Sequence, residues 1–233
     1  MDTLVLDEES RNLLRKIVER QAYRQLMAAN IRGHGLKVVP EVEEKLRLAQ
    51  DLEHSLRILK DVERLHASLG GTELSLAVRP HMERIPYPTT RLELSVCLAL
   101  CDRAERIATS GYVNSRCREF AAIARSIADA DRTFTDRAED LYAEFCGETT
   151  NRPAAQQMFN RWLSITLLSL GRPSTPGDTR AVQLGLRSKR CADSVREYLN
   201  ELRPFMERCH LHLPSGATLG VELPSEVAVM SGR

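Results

Sequence analysis

The chain contains no histidine between His81 and His210, although it has six histidines among its 233 residues. Helices in the middle of the chain therefore have no imidazole to offer a metal. Aromatic residues make up only 5% of the composition, and none of the six cysteines belongs to a C-x-x-C pair. Cysteines that lie mostly inside helical patterns without such spacing indicate reduced thiols and not a disulfide framework. This usage favours a cytoplasmic protein.

An excess of charge of one sign is also lacking, because Lys and Arg total 33 and Asp and Glu total 32. No global field therefore draws the protein to nucleic acid or to anionic lipid. The longest apolar stretches, residues 94–100 and 163–170, are too short to span a bilayer. The first residues lack the basic and apolar regions of a signal peptide. We expect neither a nucleic-acid partner nor a membrane partner.

Apolar residues recur at helical spacing along most of the chain, and no segment keeps the period of two that strands require. Gly33 and Gly35 are expected to end the first helix, and Pro40 to begin the second. The pattern predicts an all-α bundle over residues 1–210 and an extended tail over residues 211–233. The predicted core helices are 8–32, 40–70, 90–109 and 112–145. Two further helices are predicted at 153–171 and from about 178 to 209, and a proline-containing crossover loop follows Gly71.

Several short motifs occur along the chain: the second predicted helix, Leu100-Cys101-Asp102-Arg103-Ala104, Asn160-Arg161-Trp162, Pro176 with Asp178 and Arg180, Lys189-Arg190 with Asp193 and Arg196, and the segment 211–214. Together these motifs resemble the PaaA/PaaC-type ferritin-like proteins of the multicomponent phenylacetyl-CoA mono-oxygenases. The similarity runs from about residue 13 to residue 214. The resemblance implies a ferritin-like four-helix core with two additional C-terminal helices.

The same resemblance implies where a di-iron site would lie. The family takes a carboxylate from each of helices one and three, and a Glu-x-x-His pair from each of helices two and four. The matching positions in this chain hold Arg24, Ser55, Ile58, Asp102, Arg132 and Thr135. Only Asp102 keeps a carboxylate, so the resemblance implies a family member that has lost the standard di-iron site. We predict no cofactor.

A shifted metal site is an alternative. Asp51 with His54, and Glu63 with His66, each place an acid and an imidazole one turn apart on the second helix. Iron is expected only if one of these pairs forms a site. The competing interpretation is an ordinary surface or capping role, because such pairs are common on solvated helix faces.

The arginines at two former ligand positions allow two interpretations. Arg24 or Arg132 can balance Asp102 or Asp131 in a salt-bridged remnant that merely fills the bundle. Alternatively, Arg24, Ser55, Asp102, Arg132 and Thr135 line a polar pocket that binds an anionic or carbonyl-bearing substrate through guanidinium groups. Both interpretations predict that one of the two arginines pairs with Asp102. The basic run 187–190 is either a contact for the phosphate of an acyl-thioester-like substrate or a solvated face.

Two functions follow from the resemblance. The first is a protein of a small-molecule oxidation system of the mono-oxygenase type, repurposed to work without a standard di-iron centre. The second is a non-catalytic subunit that stabilises a related partner in an oxygenase complex. The tail after residue 210 favours association, as a homo-oligomer or as a hetero-oligomer with a related subunit.

Overall fold

The computed structural model describes residues 6–82, 86–129, 133–173 and 175–224. Within these ranges the chain is helical and contains no strand, so the predicted all-α class is confirmed. The α-helices are α1 (Glu8–Val38), α2 (Val42–Ser68), α3 (Leu74–Met82), α4 (Arg91–Ser110), α5 (Arg118–Ala128), α6 (Thr133–Gly147), α7 (Arg152–Leu170), α8 (Pro176–Gln183), α9 (Cys191–Arg208) and α10 (Gly216–Leu219). A single 3₁₀ turn, Thr149–Asn151, precedes α7.

Side-chain caps fix where α1 and α4 begin. Asp7 accepts a hydrogen bond from the backbone N–H of Ser10 at 2.7 Å, and this bond lowers the pKa of the Asp7 carboxyl. Thr90 accepts from the N–H of Glu93 at 3.1 Å, and the Glu93 carboxylate accepts in return from the N–H of Thr89 at 2.8 Å. These bonds satisfy donors that the first helical turn leaves free.

The helices close a ring around the centre of the molecule. α1 packs along α2, and α2 contacts α5 and α6. α5 and α6 both contact α4, and α4 in turn contacts α1. α7 and α9 pack against α4 from the other side. α4 is therefore buried along most of its length, as its unbroken run of buried residues from 93 to 101 requires.

Apolar side chains form two clusters. One joins α4, α6, α7 and α9 and contains the fully buried Trp162, Tyr142 and Tyr198. The other joins the start of α1 to α2, α3, α5 and α8. Two of these large rings form hydrogen bonds through their polar atoms. Trp162 Nε1 donates to Glu93 at 3.2 Å, and Tyr142 Oη donates to the Ala155 carbonyl at 2.6 Å. All six cysteines are buried and free.

The predicted end of the first helix is wrong, because α1 continues through Gly33 and Gly35 to Val38. Gly35 is buried where α1 meets two neighbouring helices, and a Cβ there would lie 2.9 Å from both Leu48 and Leu94. The glycine is thus a point of close helix contact inside a helix, and it does not act as a terminator.

Other boundaries also differ from the prediction. The helix predicted over 112–145 is two helices, because a turn around Asn114 and Ser115 precedes α5 and α5 ends at Ala128. The last predicted helix divides into α8 and α9 at a turn where Gly185 has φ +68°. The predicted crossover contains α3, and the segment predicted as an extended tail contains α10. Among the described helices none combines the length and the apolar character that a membrane span needs.

Candidate functional site

A polar cavity of about 90 Å³ lies inside the helix ring. That volume matches roughly three water molecules at the ~30 Å³ that each occupies in the liquid. Side chains from α1, α2, α4, α5 and α6 line it: Gln25, Arg32, Asp51, His54, Ser55, Ile58, Asp102, Arg103, Glu105, Arg106, Ile127, Thr135, Asp136 and Glu139.

Four residues at the former ligand positions of the resemblance lie together in this cavity. Ser55 and Ile58 come from α2, one turn apart, Asp102 comes from α4 and Thr135 from α6. Ser55, Ile58 and Thr135 are buried. Three helices that are distant in sequence therefore bring these side chains to one place.

Asp102 joins three helices. Its Oδ1 accepts from Arg32 Nη2 of α1 at 2.8 Å, and its Oδ2 accepts from Thr135 Oγ1 of α6 at 2.8 Å. Arg24, one of the two arginines predicted to pair with Asp102, does not do so, because Arg32, two turns further along α1, takes that place. Arg132, the other predicted partner, lies outside the described residues, as does Asp131.

Arg24 is buried but does not line the cavity. Its Nη2 donates to Gln21 Oε1 at 2.5 Å and its Nη1 donates to the Ser169 carbonyl at 3.2 Å. Burial lowers the pKa of the Arg24 guanidinium below its ordinary value. Arg24 therefore ties α1 to the end of α7 and takes no part in the predicted pocket.

Arg32 has unused donors beside the cavity. Its side chain is 10% exposed, and its Nε and Nη1 have no acceptor among the described residues. Burial by itself lowers the pKa of Arg32, but Asp102, Glu105 and Asp51 outweigh it and hold the pKa above its ordinary value. The Nε2 of His54, which also lines the cavity, is buried without a described partner.

Glu105 is the acid of the cavity that burial affects most clearly. It lies one turn after Asp102 on α4, and its Oε1 accepts from the side-chain amides of Gln21, at 3.3 Å, and of Gln25. Burial raises the pKa of the Glu105 carboxyl above its ordinary value, and Arg32 opposes that shift. A carboxyl with a raised pKa in a cavity is a candidate proton donor or acceptor.

The remaining arginines of the cavity are already paired with acids. Arg103 Nη2 donates to Glu139 at 2.6 Å, and Arg106 forms an ion pair with Glu201 of α9. Because Arg32 pairs with Asp102, each of the three cavity guanidinium groups has one carboxylate partner. Asp51, Glu105 and Asp136 also line the cavity, so carboxyl groups outnumber guanidinium groups on its walls by five to three.

The residues at the former ligand positions do not fit a di-iron centre. Ile58 has no donor atom, Ser55 and Thr135 offer only hydroxyls, and the Thr135 hydroxyl is used by Asp102. Within the described ranges no three His, Cys, Asp or Glu side chains are grouped so that they can hold a metal ion.

The two pairs considered for a shifted site are separated. Asp51 and His54 both line the cavity. Glu63 is exposed, whereas His66 is buried and its Nε2 lies 3.2 Å from Glu19 Oε1. The pair Asp51 and His54 therefore lines the cavity. Glu63 and His66 do not line it, and His66 contacts Glu19 of α1.

Sequence reasoning missed Arg32 and Glu105. A signal was present on α1, where Gln21, Gln25 and Arg32 recur near helical spacing within an otherwise apolar pattern and are all buried. On α4, Asp102 and Glu105 stand three residues apart and so share a face.

Two cations of the basic run 187–190 pair with groups of the same chain, whereas Arg190 is exposed. Arg187 is buried, and its Nη1 donates to Asp178 at 2.6 Å while its guanidinium stacks over the ring of Tyr112. Lys189 Nζ donates to Ser110 Oγ at 2.7 Å and pairs with Glu197. These cations hold the turn between α8 and α9 against the end of α4.

Comparison with protein-family models finds no match for this chain, and comparison with curated proteins finds no relative.

Proposed function

We propose that this chain is a ferritin-like helical protein of a small-molecule oxidation system, related to the PaaA/PaaC-type proteins, in which a polar cavity that binds a small molecule replaces the di-iron site. One observation carries the proposal: Ser55, Ile58, Asp102 and Thr135 converge on one cavity. These are four of the six positions at which the resemblance puts metal ligands; Arg24 does not line the cavity, and Arg132 lies outside the described residues.

The helix ring supports the ferritin-like part of the proposal. α1, α2, α4 and the pair α5–α6 contact one another in sequence around the cavity, as the four members of a bundle do. In this interpretation α5 and α6 together take the part of one long helix. α7 and α9 are then the two additional C-terminal helices.

The chemistry available in the cavity is hydrogen bonding and proton transfer. Arg32 supplies donors, His54 supplies an imidazole, and Glu105 supplies a carboxyl with a raised pKa. A ligand in the cavity would contact groups from several of the helices that line it. A repurposed enzyme built on this site would therefore polarise a bound oxygen atom and move a proton.

A ligand-observed NMR screen tests the proposal. Small fragments of positive, neutral and negative charge are mixed with the wild type and with Ser55→Met, which fills the cavity. Some fragments are expected to bind the wild type at least about tenfold more tightly than Ser55→Met, a difference of ~1.4 kcal/mol. Ser68→Met is the matched control, since Ser68 is exposed on the same helix and also donates to a backbone carbonyl of its own helix.

Two outcomes would contradict the proposal. One is that no fragment of any charge distinguishes the wild type from Ser55→Met. The other is elemental analysis that finds about two iron atoms per chain, bound in a form that Ser55→Met abolishes, because the standard centre would then be present.

An exposed apolar stripe favours the second candidate, a non-catalytic subunit of an oxygenase complex. Val42, Leu46 and Leu56 of α2 are 70%, 55% and 47% exposed. Their positions fall within about 80° of one another around the helix axis. A stripe of this kind is typical of a helix that packs against a partner.

Native mass measurement tests this candidate. If α2 mediates association, the wild type is oligomeric and the variant Leu46→Glu/Leu56→Glu is monomeric with unchanged helical content. If the wild type is monomeric and forms no complex with a co-purifying protein, the stripe does not mediate association.

A further inference from the structure

We propose that the central cavity binds a small carboxylate, which Arg32 and His54 hold by hydrogen bonds, and that binding is coupled to uptake of a proton by Glu105. This inference rests on the proposed small-molecule site and names the chemical class of its ligand.

The unused donors of Arg32 carry the argument. Nη2 is used by Asp102, but Nε and Nη1 have no acceptor among the described residues, although nine-tenths of the side chain is buried. A buried donor without an acceptor is costly, so such donors beside a cavity indicate that something in the cavity accepts from them. Carboxylate oxygens match the planar guanidinium better than other small acceptors do.

His54 offers the second contact. Its Nε2 is buried, lines the same cavity from α2 and has no described partner. As the tautomer with hydrogen on Nε2, the ring donates to a carboxylate oxygen. Donors then reach the ligand from α1 and from α2, on two walls of the cavity.

The charges of the walls explain why a proton is needed. Arg32, Arg103 and Arg106 each have a carboxylate partner, and five carboxyl groups line the cavity against these three arginines. An anion that enters therefore adds to an excess of acidic groups. Glu105 is the acid that already resists ionisation, since burial raises the pKa of its carboxyl. Protonation of Glu105 removes the repulsion between two anions in a poorly solvated space.

The groups around Glu105 are consistent with this role. Arg32 and Arg24 of α1 favour its ionised form, Asp102 of α4 disfavours it, and Gln21 donates to it. The other titratable groups of the cavity come from α2, α4 and α6, and they are Asp51, His54, Arg103, Arg106, Asp136 and Glu139. A bound carboxylate would join Asp102 in favouring the neutral form of Glu105.

The size of the cavity limits the ligand. A volume of 90 Å³ suits a carboxylic acid of about two to four carbons, since it holds only about three waters. A cation of similar size is attracted by the carboxyl groups of the walls, but it leaves the donors of Arg32 and His54 without an acceptor. A neutral amide would satisfy Arg32 but would not draw a proton to Glu105.

Calorimetry with defined probes tests the inference. Acetate, propanoate and butanoate are titrated into the full chain beside the corresponding amides and ethylammonium. Titration in two buffers that differ in ionisation enthalpy gives the number of protons taken up. The carboxylates are expected to bind most tightly, with proton uptake, and their affinity is expected to fall as pH rises above the raised pKa of the Glu105 carboxyl.

Two variants separate the contacts. Arg32→Lys keeps the charge opposite Asp102 but loses the unused donors, so carboxylate affinity should fall by about tenfold or more while the fold persists. Glu105→Gln should bind the carboxylate without proton uptake and without the dependence on pH. Circular dichroism confirms that each variant is folded, and if Arg32→Lys does not fold, Glu105→Gln still tests the coupling.

The outcomes distinguish this inference from the proposed function. If amides or ethylammonium bind as tightly as the carboxylates and Ser55→Met blocks them, the cavity is a ligand site and the carboxylate inference is wrong. Proton uptake that persists in Glu105→Gln also overturns it. If no probe or fragment binds, the proposed function itself fails.

Discussion

Asp102 is the residue on which the local arrangement of the cavity depends, because its carboxylate accepts from α1 through Arg32 and from α6 through Thr135. The side chains of Arg32 and Asp102 are only 10% and 20% exposed. Loss of one partner of such a pair leaves the other as an uncompensated buried charge. The two 2.8 Å bonds are therefore worth more to the fold than an ion pair on the surface.

We predict that Asp102→Ala lowers the free energy of unfolding by about 3 kcal/mol, because it orphans the Arg32 guanidinium. Asp102→Asn should cost less, since its amide oxygen still accepts one hydrogen bond. Urea unfolding of the three proteins measures both values. A loss below about 0.5 kcal/mol in Asp102→Ala, as for an exposed surface change, would mean that Arg32 is solvated.

Glu105 makes stability depend on pH. Burial raises the pKa of its carboxyl in the folded state above the ordinary value of 4.5. As pH rises above that value, the unfolded chain releases the proton while the folded chain keeps it, so stability falls until pH passes the raised folded pKa. Below the ordinary pKa both states hold the proton, and Glu105 contributes no pH dependence.

Glu105→Gln should remove this dependence, because the amide does not titrate and its oxygen still accepts from Gln25. We expect the free energy of unfolding of Glu105→Gln to rise relative to that of the wild type as pH increases from about 4 to about 8. Urea unfolding across this range measures the difference. Parallel curves for the two proteins would show that the Glu105 carboxyl is not perturbed in the folded state.

The sequence predicted part of the cavity at residue level. Ser55, Asp102 and Thr135 were named from motif positions and lie together, because a helix fixes its facing residues once its register is known. Arg24 was placed wrongly because α1 carries arginines two turns apart, and both are buried. Only the packing of α1 against α4 decides which of them meets Asp102.

At the scale of the element, Gly35 sets how closely α1 approaches its neighbours. A Cβ at Gly35 would lie 2.9 Å from Leu48 of α2 and 2.9 Å from Leu94 of α4, whereas one at Gly33 would meet only Leu52, at 3.9 Å. The two glycines stand in the same helix, two residues apart. They form a matched pair in which helix propensity is similar and packing differs.

We predict that Gly33→Ala and Gly35→Ala change stability in opposite directions. Gly33→Ala should raise the free energy of unfolding by up to about 1 kcal/mol, because alanine favours the helix and its Cβ makes only an ordinary contact with Leu52, at 3.9 Å. Gly35→Ala should lower it by about 1–3 kcal/mol, the usual cost of overpacking, offset in part by the same propensity gain. Thermal unfolding of both variants measures the effects, and stabilisation by Gly35→Ala would contradict the close packing.

Helix content was easier to predict than helix ends. Apolar periodicity found the long elements, since a buried face leaves its period in the sequence. Gly33 and Gly35 were interpreted as a stop signal because glycine often ends helices, but here tertiary packing uses the missing side chain. The division of the segment 112–145 was missed because α5 and α6 share one helical pattern, and nothing local in that pattern shows that its two halves are separate.

At the scale of the whole molecule, the cavity lies in a bundle whose buried apolar side chains form two separate clusters. One cluster joins α4 to α6, α7 and α9, and the other joins the start of α1 to α2, α3, α5 and α8. α4 contacts elements of both. The polar ion pairs Arg32–Asp102 and Arg103–Glu139 extend from α4 to α1 and to α6. Removal of one of these ion pairs should therefore change the helix arrangement and the cavity together.

The end of the described chain also belongs to this core. The segment after α9 was predicted as an extended tail that serves association, yet Leu211 and Leu219 are buried in the cluster of α4 and α7. Ser164 Oγ of α7 donates to the Leu219 carbonyl at 2.6 Å, and the side-chain amide of Gln156 and the backbone of His212 exchange hydrogen bonds. Residues 211–224 thus cover α7 within the same chain.

We predict that Leu219→Ala lowers the free energy of unfolding by about 2–4 kcal/mol, because it leaves a cavity between α10 and α7. Leu168→Ala is the matched control: Leu168 lies on α7 but is 60% exposed, so its truncation should change stability by less than about 0.5 kcal/mol. Urea unfolding of the full chain measures both, with native mass confirming an unchanged assembly. If Leu219→Ala leaves stability unchanged but lowers the native mass, residue 219 packs against a partner and not against α7. If both variants behave alike, the segment after α9 is not part of the core.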